Sequence, residues 1–463
     1  MKRHSLAPLL LLLLFAALPT LGASGDLDRS YGNGGFVFGS NADASTTLAI
    51  QPDDKVIAGG QCRVNGQSHF CLMRYLSNGA VDTSFGTGGQ VYTPILTGAS
   101  IARRLVVLPN GKILAVGYTS IPGNYPDEIS YQFALARYNA NGTLDPSFDG
   151  DGIVVNPIMT YRGAFAVDVA VQPDGKYVAA GGGTYPGKDF VAVRVNEDGS
   201  FDQSFGSAGI VTIATSYGSA QCVALQPDGK IVLGGWGGVS VHAVVARLTT
   251  AGVLDVSFNG SGILTYEVGY TSLRRMFVRP DGKILALGSG QPNIGSGNYL
   301  EIARINSNGT MDTTYDGDGI FFSTSSQGVP SRANDFLLQP DGKIVAAGNL
   351  SLNGNSYSAS ARYQADIPQL DNQFGDRGKI LRLTTFDSTS VVMQSDGRLI
   401  FGGTRAVGPS AFQFFLVRHL NNGTRDADFD NDRKSDLSVF RPSTGTWYLS
   451  GSTNGDTAVQ FGS

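Results

Sequence analysis

An all-β chain folded as a seven-bladed β-propeller of four-stranded antiparallel blades, with a short C-terminal β extension, is what three features of the sequence predict. The first is repetition. A turn of the form Pro-Asp-Gly-Lys between two apolar runs recurs as Pro52-Asp53-Asp54-Lys55, Pro109-Asn110-Gly111-Lys112, Pro173-Asp174-Gly175-Lys176, Pro227-Asp228-Gly229-Lys230, Pro280-Asp281-Gly282-Lys283, Pro340-Asp341-Gly342-Lys343 and Ser395-Asp396-Gly397-Arg398, at spacings of 53 to 64 residues. A supersecondary unit repeated this often must stack on its neighbours to bury a core. The second is that the runs beside the turns are apolar on consecutive positions. Ile231-Val232-Leu233-Gly234-Gly235, Ile344-Val345-Ala346-Ala347-Gly348 and Leu399-Ile400-Phe401-Gly402-Gly403 show no polar alternation, so both faces of these strands are covered. Radial stacking of blades covers both faces of an antiparallel meander; a β-helix is the next candidate, but the unit is long for one rung. The third is composition: 62 glycines in 463 residues and 10% aromatics belong to a turn-rich β protein.

The chain opens with Met1-Lys2-Arg3-His4, an apolar stretch containing residues 9–15, and Leu21-Gly22-Ala23. This is the pattern of a secretory signal over residues 1–23, with cleavage near Ala23. A secreted, periplasmic or cell-surface location is therefore expected. No later stretch approaches ~20 uninterrupted apolar residues, so no transmembrane segment is expected after cleavage. The cleavage site has no cysteine to carry a lipid. A net charge of −4 with 16% charged residues excludes nucleic acid and anionic membranes as expected partners. Cys62 and Cys71 flank one hairpin, and an oxidising compartment permits a disulfide there if the register allows it. Cys222 lies in an apolar strand and reads as an inert buried thiol.

Each unit carries four strand signals; in the second they fall at residues 90–94, 104–108, 112–118 and 133–138. The Pro-Asp-Gly turn joins the middle pair: proline sets its own φ, aspartate favours the turn and glycine accepts positive φ. Asp54 takes the glycine position in the first copy, a left-handed aspartate that is tolerable but slightly strained. The fourth strand ends in Arg74, Arg137, Arg194, Arg247, Arg304, Arg362 and Arg418. An aspartate follows eight residues later (nine in the unit with Pro368): Asp82, Asp145, Asp202, Asp255, Asp312, Asp371 and Asp426. A bidentate Arg–Asp bridge is expected to close each connection between blades, helped by the aromatic residue three positions on: Phe85, Phe148, Phe205, Phe258, Tyr315 and Phe374. Recurrence in every unit favours structure over an anion-binding ring. The basic residues after the turns are expected on one rim, as solvated turn ends.

The two ends depart from the repeat. Asp26-Leu27-Asp28-Arg29-Ser30-Tyr31-Gly32 copies the inter-blade linker without a blade before it. In a closed ring it follows the seventh blade, where Asp28 competes with Asp426 for Arg418 and latches the fold. After the seventh unit, Asp428, Asp430, Asp432 and Asp436 occupy positions 1, 3, 5 and 9 of an acidic loop, the oxygen-ligand spacing of a Ca2+ site. Arg433 stands where such loops carry glycine, and Val439 where an EF-hand has its bidentate glutamate.

The repeated unit resembles the delta-60 repeat of bacterial β-propellers. The resemblance rests on Gln172-Pro173-Asp174-Gly175-Lys176, Ala136-Arg137-Tyr138 and Leu144-Asp145-Pro146-Ser147-Phe148, covers residues 24–427, and implies a propeller of secreted or surface proteins without an established enzyme activity. Residues 428–463 resemble an FG-GAP or VCBS-type repeat, expected to be partial; this implies calcium at Asp428, Asp430, Asp432 and Asp436.

No catalytic constellation is apparent. His69, His242 and His419 lie on or next to the fourth strands of three different units, and are expected to be scattered rather than to converge on a metal. A Gly-x-Ser-x-Gly elbow, a phosphate loop and paired-cysteine metal motifs are absent from the sequence. The expectation is an exported, monomeric, non-catalytic propeller serving as a binding, adhesion or surface scaffold module, with a surface protein or carbohydrate as partner. The alternatives are an enzyme acting on a carbohydrate or lactone at the central axis, and a rigid spacer. Long connections at residues 119–130, 290–299 and 349–357, holding Tyr125, Tyr299 and Tyr357, are candidate binding loops.

Overall fold

The structure, a computed structural model, describes residues 24–463 apart from 40–43, 123–128, 157–162, 184–188, 239–240, 267–269, 292–298, 324–328, 353–354, 365, 384–385, 409–410, 421–436, 442–445, 452–454 and 461–463. The signal segment 1–23, Asp426 and the acidic loop with Asp428, Asp430, Asp432 and Asp436 therefore lie outside the described residues. In the first blade β2 (Ala44–Ile50), β3 (Val56–Val64), β4 (Gln67–Tyr75) and β5 (Gln90–Thr93) pair in sequence order. Five more blades repeat the meander, opening at β6 (Ser100–Val107), β10 (Ala164–Val171), β14 (Ser219–Leu225), β18 (Tyr270–Val278) and β22 (Arg332–Leu338). The seventh combines β26 (Phe386–Met393), β27 (Leu399–Gly408) and β28 (Ala411–His419) with β1 (Phe36–Phe38). Farther along, β29 (Leu437–Arg441), β30 (Thr446–Gly451) and β31 (Gly455–Gln460) form a three-stranded antiparallel sheet.

Blades and sequence units are offset by one strand. Residues 90–94, read as opening the second unit, supply the outer strand of the first blade and pair with β4. The chain leaves β4, turns through the linker and pairs back on the strand it has just left, as sequential neighbours tend to do. The seventh blade then takes its outer strand from the other end of the chain, with Phe36 opposite Val417 and Phe38 opposite Phe415. First strands of adjacent blades touch all the way round, so they are the innermost and line the axis.

Burial follows from the radial stack. In the third blade β11 (Tyr177–Gly183) and β12 (Phe190–Val195) are buried at every residue. The described residues form seven apolar clusters, each joining two adjacent blades. One of them packs Ile400, Phe414 and Leu416 of the last blade on Leu48, Val56 and Met73 of the first, which closes the ring.

The glycines that end the second-strand runs have a steric cause. Every first strand carries a β-bulge, between Ser45 and Thr47, Ala102 and Arg104, Ala166 and Asp168, Ala220 and Cys222, Leu273 and Arg275, Ala333 and Asp335, and Ser388 and Ser390. The bulged strand presses a carbonyl onto the strand beside it. A Cβ at Gly117, Gly181, Gly235, Gly288, Gly348 or Gly403 would collide with the carbonyl oxygen of Ile101, Phe165, Ser219, Ser272, Arg332 or Asp387 respectively.

The Arg–Asp pairs of the first six units are present, but the bridge is not bidentate. Arg137 donates from Nε to Asp145 at 2.6 Å and from Nη2 to Ser147 Oγ at 2.9 Å, while Nη1 reaches the carbonyl of Glu197 in the next linker. Arg74, Arg194, Arg247 and Arg304 divide their forks in the same way. A single carboxylate oxygen is enough because the fork must also hold the neighbouring blade. Each guanidinium lies over an aromatic ring, from 4.3 Å at Arg194 on Phe205 to 4.7 Å at Arg247 on Phe258. The turn lysines are not merely solvated: Lys112, Lys176 and Lys283 place Nζ 2.8, 2.9 and 2.7 Å from Asp145, Asp202 and Asp312. Burial alone would raise these carboxyls; the lysine, hydroxyl and arginine partners outweigh it and hold them below the usual range.

The last station is built from both ends of the chain. Arg418 lies 4.5 Å over Tyr31, places Nη2 2.8 Å from Asp28, and donates from Nη1 to Ser77 in the first linker at 2.7 Å. His419 is buried with Nδ1 2.7 Å from the Gly25 carbonyl, and burial lowers its pKa to about 3. The two irregular turns meet here. Asp54, at φ 61°, accepts from the Ser395 amide at 2.7 Å, a bond that proline at position 395 could not donate. Cys62 and Cys71 form a disulfide, and Cys222 is free and buried.

One fully buried acid interrupts an apolar position. Glu301 stands three residues before Arg304, where other blades place residues such as Ala134, Val191, Val244 and Phe415, and accepts from the Tyr266 hydroxyl at 2.9 Å. Burial pushes its pKa up to about 7, against the pull of its hydrogen bonds.

Two outcomes follow from this packing. Asp28→Ala removes the one carboxylate that Arg418 meets among the described residues, with an expected loss of about 3–5 kcal/mol and a lowered thermal midpoint. An unchanged midpoint would show that the N-terminal station does not close the ring. For Glu301 the folded state keeps a proton that the unfolded chain releases near pH 4.5, so stability falls as pH rises from about 4.5 to about 7 and then levels. Glu301→Gln removes that slope, up to about 3 kcal/mol, and is expected to be the more stable protein in denaturant titrations at pH 8. Parallel pH profiles for the two proteins would refute this.

Candidate functional site

The repeated ion pairs and the turn lysines are consumed in holding blades together, at the end of the propeller that carries the Pro-Asp-Gly turns. The three histidines are not brought together. His69 faces Cys62 across its hairpin, His242 faces Gly237 and His419 faces Leu399, on the first, fourth and seventh blades. Among the described residues no group of three or more His, Cys, Asp or Glu could hold a metal ion. Two of the long connections are largely ladder rather than loop. β7 (Ile113–Pro122) and β8 (Ile129–Tyr138) extend through much of 119–130, and β23 (Ile344–Leu352) and β24 (Asn355–Tyr363) through most of 349–357. Tyr125 and residues 292–298 lie outside the described residues.

A different set of residues gathers at the axis. The bulge turns one extra residue of each inner strand out of the ladder: Arg103, Val167, Gln221, Arg274, Asn334 and Thr389 in blades two to seven. With Arg104, Asp168, Arg275, Asp335 and Arg332 they line a cavity of about 220 Å³. Arg332 lies near the start of its strand, opposite Asn349, so the cavity faces the end that carries the second-to-third-strand hairpins. One end of the propeller thus repeats itself while the other varies.

The position after the bulge has a structural task. Thr47 Oγ1 accepts from the Leu105 amide at 3.3 Å, Asp168 Oδ2 from Val223 at 3.0 Å, Asp335 Oδ2 from Val391 at 3.1 Å and Ser390 Oγ from Leu48 at 3.0 Å. Each bond crosses to the next blade. The other carboxylate oxygens face the axis and share two arginines. Arg104 Nε and Arg275 Nη1 lie 3.3 and 3.7 Å from Asp168 Oδ1, and Arg275 Nε and Arg104 Nη1 lie 2.9 and 4.0 Å from Asp335 Oδ1. Burial raises both carboxyls, partly offset by Arg104 and the amide bonds.

Around this closed set of two cations and two anions stand Arg103, Arg274 and Arg332. Arg103 and Arg332 are exposed and Arg274 is half-buried. Arg274 donates to Gln221 Oε1 at 3.4 Å, and its pKa is lowered first by desolvation and then by the charges of Arg332 and Arg103. A chain of net charge −4 therefore concentrates at one point three cations that have no ion-pair partner among the described residues. Arg103-Arg104, Arg274-Arg275, Asp168 and Asp335 place charges inside the inner strands; that was the legible signal, and repeat-based reading passed over it.

The family model described as a domain of unknown function (DUF5122) beta-propeller matches residues 51–85, 108–148, 172–205, 226–258, 279–315, 339–366 and 394–429. The chain belongs to this family. No curated protein matches it. Among solved structures it is similar to Sqt1 from Chaetomium thermophilum, at 10% identity and TM-score 0.45, covering 87% of this chain and 100% of that one. It is also similar to a PL25 ulvan lyase bound to -[GlcA(1-4)Rha3S]-, at 12% identity and TM-score 0.46, covering 84% and 97%. A third is PorZ, a surface component of the type-IX secretion system of Porphyromonas gingivalis, at 12% identity and TM-score 0.38, covering 89% and 52%. At these scores the likenesses bear on neither activity nor ligand.

Proposed function

We propose that this DUF5122 propeller is an exported, non-catalytic binding module that takes its ligand at the axial mouth. The observation that supports this is the break in symmetry. At the turn-bearing end the same Arg–Asp–Lys station recurs from blade to blade, whereas at the axis the bulge residues are Arg103, Val167, Gln221, Arg274, Asn334 and Thr389. Residues that serve the fold are shared by repeats; residues that differ at one equivalent, solvent-facing position are free to serve a ligand. A concave site with convergent polar groups is the usual form of such a site. The non-catalytic reading draws support from Asp168 and Asp335, each engaged by arginines and by a next-blade amide and so poorly placed to move protons.

The fluorescently labelled full chain, applied to an array of saccharides and isolated surface proteins, tests the reading. Asn334→Trp and Thr389→Trp each fill the mouth and are expected to abolish the signal. Val256→Trp, at an exposed linker position far from the axis, is expected to preserve it. Signal that survives both fillings would remove the axial site, and release of shortened saccharide products would favour an enzyme instead.

A further inference from the structure

We infer that the axial mouth receives an acidic saccharide, a sugar chain bearing carboxylate or sulfate groups. The inference rests on the axial binding reading above and specifies its ligand. With Arg104 and Arg275 engaged by Asp168 and Asp335, the cations left over are Arg103, Arg274 and Arg332, from the second, fifth and sixth blades. None has an acidic partner among the described residues. The adjacent Asp387 is bonded to Asn349 Nδ2 at 3.1 Å rather than to Arg332. Three guanidiniums converging from separate blades repel one another in the free protein. An anion seated among them relieves that repulsion and accepts charge-assisted hydrogen bonds from rigid strands.

The mouth continues onto an aromatic shelf. Arg103 lies 5.6 Å over the ring of Tyr118. Tyr131 meets Tyr118 edge-on at 5.3 Å, and Phe165 of the next blade does so at 6.1 Å. All three rings are half-buried, with part of each open to solvent. A pyranose presents one face of C–H groups and a rim of hydroxyls. Such a face packs on an exposed ring, while its acidic substituent enters the arginine cluster and its hydroxyls meet Gln221, Asn334 and Thr389.

The same residues fit a nucleic acid poorly. Strand binders track a phosphate backbone with an extended basic groove and stack bases between parallel planes. Here the cations are confined to one point of an acidic chain, and interplanar angles of 89° and 66° leave no parallel slot.

Isothermal titration of the full chain with tetragalacturonate, a chondroitin sulfate tetrasaccharide, cellotetraose, inorganic sulfate and tetrathymidylate tests the inference. The two acidic tetrasaccharides are expected to bind and cellotetraose not to. Arg274→Ala and Arg332→Ala, verified as folded by thermal melts, are each expected to weaken that binding by about tenfold or more. Tyr118→Ala is expected to weaken the tetrasaccharides and leave inorganic sulfate unchanged. Equal binding of cellotetraose, or arginine variants that bind normally while Asn334→Trp does not, would overturn the acidic ligand and leave the axial site standing. Binding undisturbed by Asn334→Trp would instead remove the site itself. Failure of both acidic tetrasaccharides to bind, sulfate alone binding as tightly as they do, or tighter binding of tetrathymidylate would each overturn the saccharide.

Discussion

The strands of each blade are covered on both faces, and everything else follows from that constraint. A sheet such as β11 and β12, buried at every residue, is stable only with a neighbour on either side. An open stack would leave two end blades exposing an apolar face; a ring leaves none. Closure is therefore a condition of stability, and the chain meets it by joining its two ends. β1 completes the last blade, Asp28 and Tyr31 complete the last arginine station, and Asp54 and Ser395 exchange a bond that neither regular turn sequence could make. The apolar cluster shared by Leu48 and Leu416 is the packing counterpart of these polar contacts.

The arginine stations show how one side chain can serve three constraints. Nε fixes the linker to its own blade through the aspartate, Nη1 fixes it to the next blade through a carbonyl, and the planar face covers an aromatic ring. Lysine could offer the charge but not the divided fork or the flat face. Because the guanidinium and carboxylate are both desolvated, the pair is valuable mainly for what its loss would leave behind. That explains why the same residues return in unit after unit while the loops between them change length.

Much of the architecture was legible because repetition makes it so. The turn, the Arg–Asp spacing and the double-faced apolar runs each follow from a local rule, and the orphan linker at Asp28 could be assigned to the last blade by analogy with Asp82. Other features were hidden by the same repetition. The strand at 90–94 carries no mark of which neighbour it joins, so the blade boundary was set one strand early. The division of the guanidinium fork depends on a carbonyl in the following linker, some 60 residues away at Glu197, which spacing within one unit does not encode. The axial residues were missed for a sharper reason. A bulge shifts the alternation of a strand by one, so Arg103 and Arg274 fall out of register with the face on which a periodic reading looks for function.

That register shift joins the fold to the site. The bulge pushes a backbone carbonyl against the second strand, which is why glycine must stand at Gly117, Gly181 and Gly348. In exchange it turns one side chain in each of blades two to seven out of the ladder and toward the axis. The position that follows bonds to the next blade wherever it is Thr47, Asp168, Asp335 or Ser390, and those short acceptors leave little room for change. The freed position varies more: Asn334 donates to the Ser388 carbonyl of the next blade at 2.8 Å and Arg274 to Gln221 of the preceding one at 3.4 Å, but the residue type changes from blade to blade. Once Arg104 and Arg275 have neutralised the two axial aspartates, the further arginines at the mouth add field that no ion pair among the described residues offsets. Arg103, Arg274 and Arg332 thus gather positive charge at the mouth of a chain whose net charge is −4, at positions that the repeat does not hold constant.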